Sequence, residues 1–235
     1  MTDALDRSIA APVGTPARDT TVRGDRTRDR LLDAAEAMVA AAGYDLPSHR
    51  TLAARAGVHV ALIHYHFGSK DALYDAALAR RAPLAARAWR EALDAACAGA
   101  PPDAGAVFHA WWRPFAEALD DRGAIGRDYL CMVARLADRP AGESLRTRYF
   151  GDIEDRYLRT LRRGIAGARP PDLAAGWCYA TRLMNDVLLR RCGYPGGPCG
   201  RTDDGGDELE GLLAWLASGM QSCARGARVV PADAT

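Results

Sequence analysis

Residues 56–74 read AGVHVALIHYHFGSKDALY and hold three of the chain's five histidines, two tyrosines and its only lysine, Lys70. Imidazole, phenol and ammonium groups gathered so closely could grip a metal, move protons in catalysis or read a nucleic acid. On a helix His59 and His64 stand about 140° apart around the axis, and His64 and His66 about 200°. Neither pair shares a face as an i, i+4 pair would, and no acidic or cysteine residue lies between them. No metal site is therefore expected. The segment holds no serine or cysteine nucleophile in a recognisable motif. The chain shows no G-x-S-x-G, no P-loop and no dinucleotide fingerprint, so no catalytic residue and no cofactor are expected.

A nucleic-acid reading head accounts for the same residues better. A helix-turn-helix needs two short helices joined by a tight turn, the second with an apolar inner stripe and an outer face free to enter a major groove. Leu52, Ala53 and Ala56 supply the inner side of the first helix, and Val58, Ile63 and Phe67 that of the second. The outer face then carries His59, Val60, Ala61 and His64 towards base edges, with Tyr65 and His66 towards the backbone. Val60 and Ala61 are small enough to allow close approach. Lys70 opposes the helix dipole at the start of a helix, where an anion is preferred. A phosphate held by backbone N–H groups, the Ser69 hydroxyl and the Lys70 ammonium reverses that penalty.

The elements that must position these groups are helical throughout. Leu31, Leu32, Ala35, Met38, Val39 and Ala42 recur at spacings of three and four from about Asp25, and Gly43 ends the run. Ser48 caps a short helix that Gly57 closes, a third runs through Val58–Phe67, and Ser69 caps a fourth that reaches about Cys97 with a possible bend at Pro83. Further helices are expected near 103–120, 124–138, 142–166, 171–192 and 207–225, separated by stretches such as APPDAG and GYPGGPCGRTDDGG. No alternating stretch bounded by turns suggests a strand. The fold class is all-α: a disordered tail over 1–23, a three-helix helix-turn-helix domain over 24–80, a larger helical domain over 81–225 and a flexible tail over 226–235.

Composition bounds the rest. The 235 residues carry a formal charge of +1, so binding to a polyanion must come from a local patch rather than a global field. Six cysteines without a C-x-x-C pair fit reduced thiols in a cytoplasmic protein, although Cys192 and Cys199 flank one loop and could form a redox pair. No apolar run approaches the ~20 residues of a membrane helix, and no secretory h-region opens the chain.

Residues 26–80 resemble the TetR family of bacterial transcriptional repressors, through LLDAAEAMVAAAGY, LAARAGV and YHFGSKDALY in the family's order and spacing. The resemblance implies a homodimer that places two recognition helices in the major groove of a palindromic double-stranded DNA operator, with half-sites about 34–36 Å apart. It implies a C-terminal domain that dimerises and holds a small-molecule effector. Carried over by position, Ser48 and His49 meet phosphate, His59, Val60, Ala61 and His64 face bases, and Tyr65, His66 and Lys70 clamp the backbone. His59 stands where the family often has serine, Leu62 where threonine is frequent and His64 where tyrosine is frequent. These departures touch the base preference, and they make pH-sensitive binding plausible because histidine titrates near neutrality.

The middle helices are rich in rings and soft side chains, as a mostly apolar effector pocket or an ordinary core would be. His109, Trp112, Met132, Trp177 and Asn185 are the candidate ligand contacts. Trp177, Thr181, Met184 and Leu188 share one face of their helix, as do Leu209, Leu212, Leu216 and Met220 of the last. The resemblance assigns both stripes to a four-helix dimer interface, although periodicity alone fits an intramolecular core equally well. An activator or an effector-independent regulator is the alternative within regulation. An all-α small-molecule binding protein or enzyme with a vestigial helix-turn-helix is the alternative outside it.

Overall fold

The structure is a computed structural model that describes residues 17–45, 47–120, 125–136, 140–194 and 207–222. Every regular element among them is an α-helix: α1 (Ala17–Ala42), α2 (His49–Ala56), α3 (Ala61–Phe67), α4 (Lys70–Ala96), α5 (Ala104–Leu119), α6 (Arg127–Leu136), α7 (Pro140–Gly164), α8 (Pro170–Arg191) and α9 (Asp207–Ser222). The all-α expectation and the order of elements hold, with most boundaries within a few residues of those read from periodicity.

Two starts differ. Helix α1 begins at Ala17, ahead of the Asp25 start, so residues 17–23 of the expected tail are helical. No proline interrupts 17–42, and Gly24 costs a helix only about 1 kcal/mol. Residues 1–16 and the 226–235 tail lie outside the described residues. Helix α3 begins at Ala61 instead of Val58. His59 stays outside because its ring Nδ1 accepts the Ala61 N–H at 3.3 Å, a local bond that competes with another helical turn.

The small N-terminal unit packs α1, α2, α3 and the first half of α4 around Leu31, Leu32, Val39, Leu52, Ile63, Leu73 and Leu78, all fully buried. Ser48 and Thr51 form a reciprocal capping box at the start of α2, and Gly57 ends it in the left-handed region (φ 62). Gly68 (φ 76) turns the chain between α3 and α4, and the Ser69 hydroxyl accepts the Ala72 N–H to cap α4. Both glycines hold a conformation that a side chain with a Cβ adopts only under strain.

Helix α4 crosses the expected 80/81 domain boundary unbroken and is tied to every layer around it. Arg80 reaches Asp33 and Glu36 of α1 at 2.6 Å each, and Arg81 reaches Glu36 at 3.3 Å. Tyr44, just after α1, donates to the Asp71 carboxylate at 2.9 Å. Tyr129 of α6 donates to the Leu78 carbonyl at 2.8 Å, and Tyr149 of α7 to Asp75 at 2.9 Å. Trp89 donates to the Trp111 carbonyl of α5 at 2.9 Å and stacks on the Trp111 ring, with Phe115, Phe150, Tyr157 and Trp177 completing a cluster that joins α4, α5, α7 and α8. Pro83 sits within α4 at an exposed position, where water can satisfy the backbone carbonyl its ring leaves without a donor.

The stripes expected to pair with a second subunit face inward. Trp177, Met184, Leu188, Leu209, Leu216 and Met220 are buried within the single chain, and Thr181 and Leu212 are half-buried. Helix α9 lies against α5 and α8, and that packing consumes the α9 stripe. Tyr179, Leu183 and Trp215 are left outside on α8 and α9 instead, with Trp215 65% exposed.

Glu36 gives the fold a pH signature. Burial pushes its carboxyl above the ordinary value, with Arg80 and Arg81 pulling back only in part. A raised folded pKa means that the group stabilises the fold below its unfolded pKa and loses that contribution as pH rises through the folded one. In urea titrations from pH 4 to 7, the stability of the natural protein relative to Glu36→Gln should therefore decline with rising pH. A relative stability that climbs instead would show that the arginines outweigh desolvation.

Candidate nucleic-acid interface and effector cavity

The caps fix where α2 and α3 begin, and so fix which side chains face out. Ser48 is exposed, and its hydroxyl oxygen takes part in the capping box as an acceptor: it accepts the Thr51 N–H at 3.1 Å, while Thr51 Oγ1 accepts the Ser48 N–H at 2.9 Å. Its neighbour His49 is half-buried and stacks on His64 of α3, with ring centroids 5.0 Å apart and planes 20° from parallel. Nε2 of His49 is buried without a hydrogen-bond partner within the chain. The outward face of α3 and its entry turn present His59, Val60, Ala61 and His64, all exposed. Tyr65 is 80% exposed and meets the half-buried His66 edge-on at 4.9 Å. Lys70 is half-exposed at the first position of α4, its Nζ 5.8 Å from the Tyr74 ring centroid.

The two leading histidines use Nδ1 in opposite senses. The Gly68 carbonyl can only accept, so in its 2.9 Å contact with His64 the Nδ1 carries the proton and Nε2 of the neutral ring is an acceptor. At His59 the bond runs the other way: Nδ1 accepts a backbone N–H, so Nε2 of the neutral ring is a donor. One imidazole thus presents a donor and the other an acceptor, which base edges tell apart. The local fold, not the residue type, creates that difference. Arg28 adds a cation that sequence reading missed, its guanidinium 5.3 Å from the Phe67 ring centroid at the end of α3.

The larger unit contains a cavity of about 230 Å³ beside the tryptophan cluster. Trp177 and Asn185 line it, together with Trp89, Phe115, Arg146 and Glu154. His109, Trp112 and Met132 do not: His109 is exposed on α5 beside Glu210, at 3.6 Å, while Trp112 and Met132 are buried in the core. Asp152 and Asp155 are exposed, as a solvated helix face requires, but Glu154 turns inward and pairs with Arg146. Burial raises the Glu154 carboxyl above its ordinary value while Arg146 draws it down. Arg146 Nε is buried without a partner, which leaves one donor to spare at the cavity wall. The spacing Arg146, Phe150, Glu154 was the available signal, since steps of four keep all three close to one face.

A capped helix-turn-helix set on a larger helical unit defines a DNA-binding transcription regulator. Residues 31–77 match the sequence profile of bacterial regulatory proteins, tetR family. The match covers the later part of the first helix, the helix-turn-helix and the start of α4. No curated protein matches it. Among solved structures it is similar to a transcriptional regulator from Rhodococcus sp. Rha1, at 23% identity and a TM-score of 0.51 over 87% of this chain and 99% of that one. A TetR family transcription regulator from Marinobacter aquaeolei VT8 is similar at 19% identity and a TM-score of 0.53, over 85% and 97% of the two chains. At such identities the likeness is one of fold. Among the described residues no cluster of His, Cys, Asp or Glu is placed to hold a metal ion, and no helix is long and apolar enough to cross a membrane.

The Ser48 cap gives a direct check on the scaffold. Ser48→Ala removes one half of the capping box and should cost about 1 kcal/mol of stability in urea denaturation. An unchanged midpoint would mean that Thr51 alone holds the start of α2.

Proposed function

We propose that the protein is a homodimeric repressor. Two copies of the 24–80 domain hold a palindromic operator, and a small molecule entering the 81–225 domain releases it. The observation that carries this reading is the exposed α3 face, where the His59 and His64 rings, each tied to the backbone through Nδ1, flank the small residues Val60 and Ala61. His59, Val60, Ala61 and His64 contact base edges. Ser48, His49, Tyr65, His66 and Lys70 position the backbone. The Ser69 hydroxyl accepts the Ala72 N–H yet keeps its own O–H, so it can donate to the phosphate that Lys70 neutralises.

Dimerisation is supported by the apolar groove of about 500 Å³ on α8 and α9, lined by Gly176, Tyr179, Leu183, Trp215, Gly219 and Met220. A large exposed tryptophan beside glycines suits close packing of helices from a second copy. The effector is a compact, mostly apolar ring compound, because a cavity of about 230 Å³ is modest by the standard of ligand pockets. Trp177 and Asn185 contact it, and the Arg146–Glu154 pair supplies its charged handle. To reverse occupancy from 99:1 to 1:99 such a ligand must prefer the non-binding conformation by about 5.5 kcal/mol.

Selection of genomic fragments by the purified protein, followed by a screen for compounds that release them, tests the whole reading. Lys70→Ala should weaken binding to every duplex and lower the salt slope by about one unit. An unchanged slope removes Lys70 from the phosphate contacts. Trp215→Asp should give monomers in sedimentation and lower operator affinity by about tenfold or more, since a single half-site then acts alone. A variant that stays dimeric places the interface elsewhere.

A further inference from the structure

The fold brings together two cysteines that are 61 residues apart in sequence. Cys131 lies in the middle of α6 and is fully buried, while Cys192 is half-buried at the C-terminal cap of α8. Their sulfur atoms are 2.9 Å apart, the Cys131 thiol donating to Cys192. A disulfide requires about 2.05 Å, so a small closing movement would join them. The expected partner of Cys192 was Cys199, which lies outside the described residues.

We propose that Cys131 and Cys192 form a peroxide-sensitive dithiol that closes to an intramolecular disulfide and alters DNA binding. The two sulfurs differ in role. Cys192 is the more accessible, and the hydrogen bond from Cys131, aided by the Arg127 guanidinium, draws its thiol below the usual range against the opposing effect of burial and Asp128. Cys131 is pushed up by the same hydrogen bond and by burial. The Cys192 thiolate attacks one peroxide oxygen, forming an S–O bond as the O–O bond breaks, and the departing hydroxide takes a proton to become water. The Cys131 sulfur then attacks the sulfenic sulfur of Cys192. An S–S bond forms, the S–O bond breaks, and the leaving hydroxide carries off the Cys131 proton as a second water. Two thiols lose two electrons and the peroxide gains them; a small-molecule thiol reverses the step by exchange.

The position of the pair gives the reaction a route to the reading head. Tyr129 of α6 bonds to the Leu78 carbonyl of α4, and Arg135 of α6 donates to the Ala40 carbonyl of α1 at 3.3 Å. Tyr194, just after Cys192, donates to Asp128 at the start of α6 at 2.8 Å. Drawing Cys131 towards Cys192 therefore pulls on the helix that α1 and α4 both rest on. This consequence rests on the DNA-binding reading, whereas the thiol chemistry does not.

Treatment of the full-length protein with hydrogen peroxide, followed by peptide mapping, should find Cys131 joined to Cys192. In Cys131→Ser, which lacks the resolving thiol, dimedone should trap a sulfenic acid on Cys192. In Cys192→Ser, the buried Cys131 should remain reduced. A Cys192–Cys199 bridge, or a Cys192 that goes unmodified in Cys131→Ser, overturns the site. The affinity of the oxidised protein for a selected genomic fragment should change by about tenfold or more and return with dithiothreitol, and neither cysteine variant should show this effect. A disulfide that forms while affinity stays within twofold overturns the regulatory part and leaves the chemistry standing. Reduced protein that binds no fragment at all overturns both the regulatory part and the DNA-binding reading; the thiol mapping still decides the site.

Discussion

Helix α4 packs against α1, α3, α5, α6 and α7, and ion pairs add to its attachment to α1. Glu36 is buried on α1, and Arg80 and Arg81 reach its carboxyl from α4 while burial still holds its pKa above the ordinary value. Such an arrangement stabilises little in net terms, because desolvation offsets most of the Coulomb attraction. Its value is directional: a carboxylate bridging two successive arginines tolerates few rotations of α4 against α1. Hydrophobic packing by Leu31, Leu73 and Leu78 supplies the adhesion, and the ion pairs select one orientation. The exposed side chains of α3 inherit that orientation through the short Gly68–Ser69 turn.

The exposed face of α3 is ordered by hydrogen bonds within the chain. His59 and His64 each spend one ring nitrogen on the backbone, which fixes the polarity of the other. His49 stacks on His64 and couples α2 to α3 through aromatic contact as well as through the core. A surface built this way loses less side-chain freedom on binding than one of long flexible lysines, and lower ordering cost favours affinity. The overall charge of +1 agrees with the same economy, since specificity then depends on a small, well-placed set of groups rather than on a diffuse positive field.

Much of the fold was legible because its punctuation is local. Ser48, Gly57, Gly68 and Ser69 act within a turn of their own positions, and the three- and four-residue spacing of Leu31, Leu32, Ala35 and Val39 reports one buried face. What depends on distant partners was not legible. The inward stripes of α8 and α9 look the same whether α5 or a second subunit covers them, and only packing shows that α5 does. Glu154 meets Arg146, two helical turns earlier, only because the α7 face that carries both turns inward. Nothing in the sequence links Cys131 to Cys192. The start of α3 failed for a different reason: the His59 ring competes locally with the helix, a contest that residue propensity does not resolve.

A last consequence follows from the geometry of α4 between its two ends. Trp89 lines the cavity and Lys70 opens the helix, which places them about 28 Å apart at a rise of 1.5 Å per residue. A tilt of about 5° at Trp89 therefore displaces the Lys70 end by about 2.5 Å, well beyond the tolerance of any hydrogen bond made there. Pro83 lies between them and removes one rung from the backbone ladder, yet α4 runs unbroken through it from Lys70 to Ala96. The tryptophan cluster opposes movement on the cavity side, and the Glu36 ion pairs oppose it on the DNA side. The single long helix can then pass a small change in ring packing to the reading head without either unit unfolding.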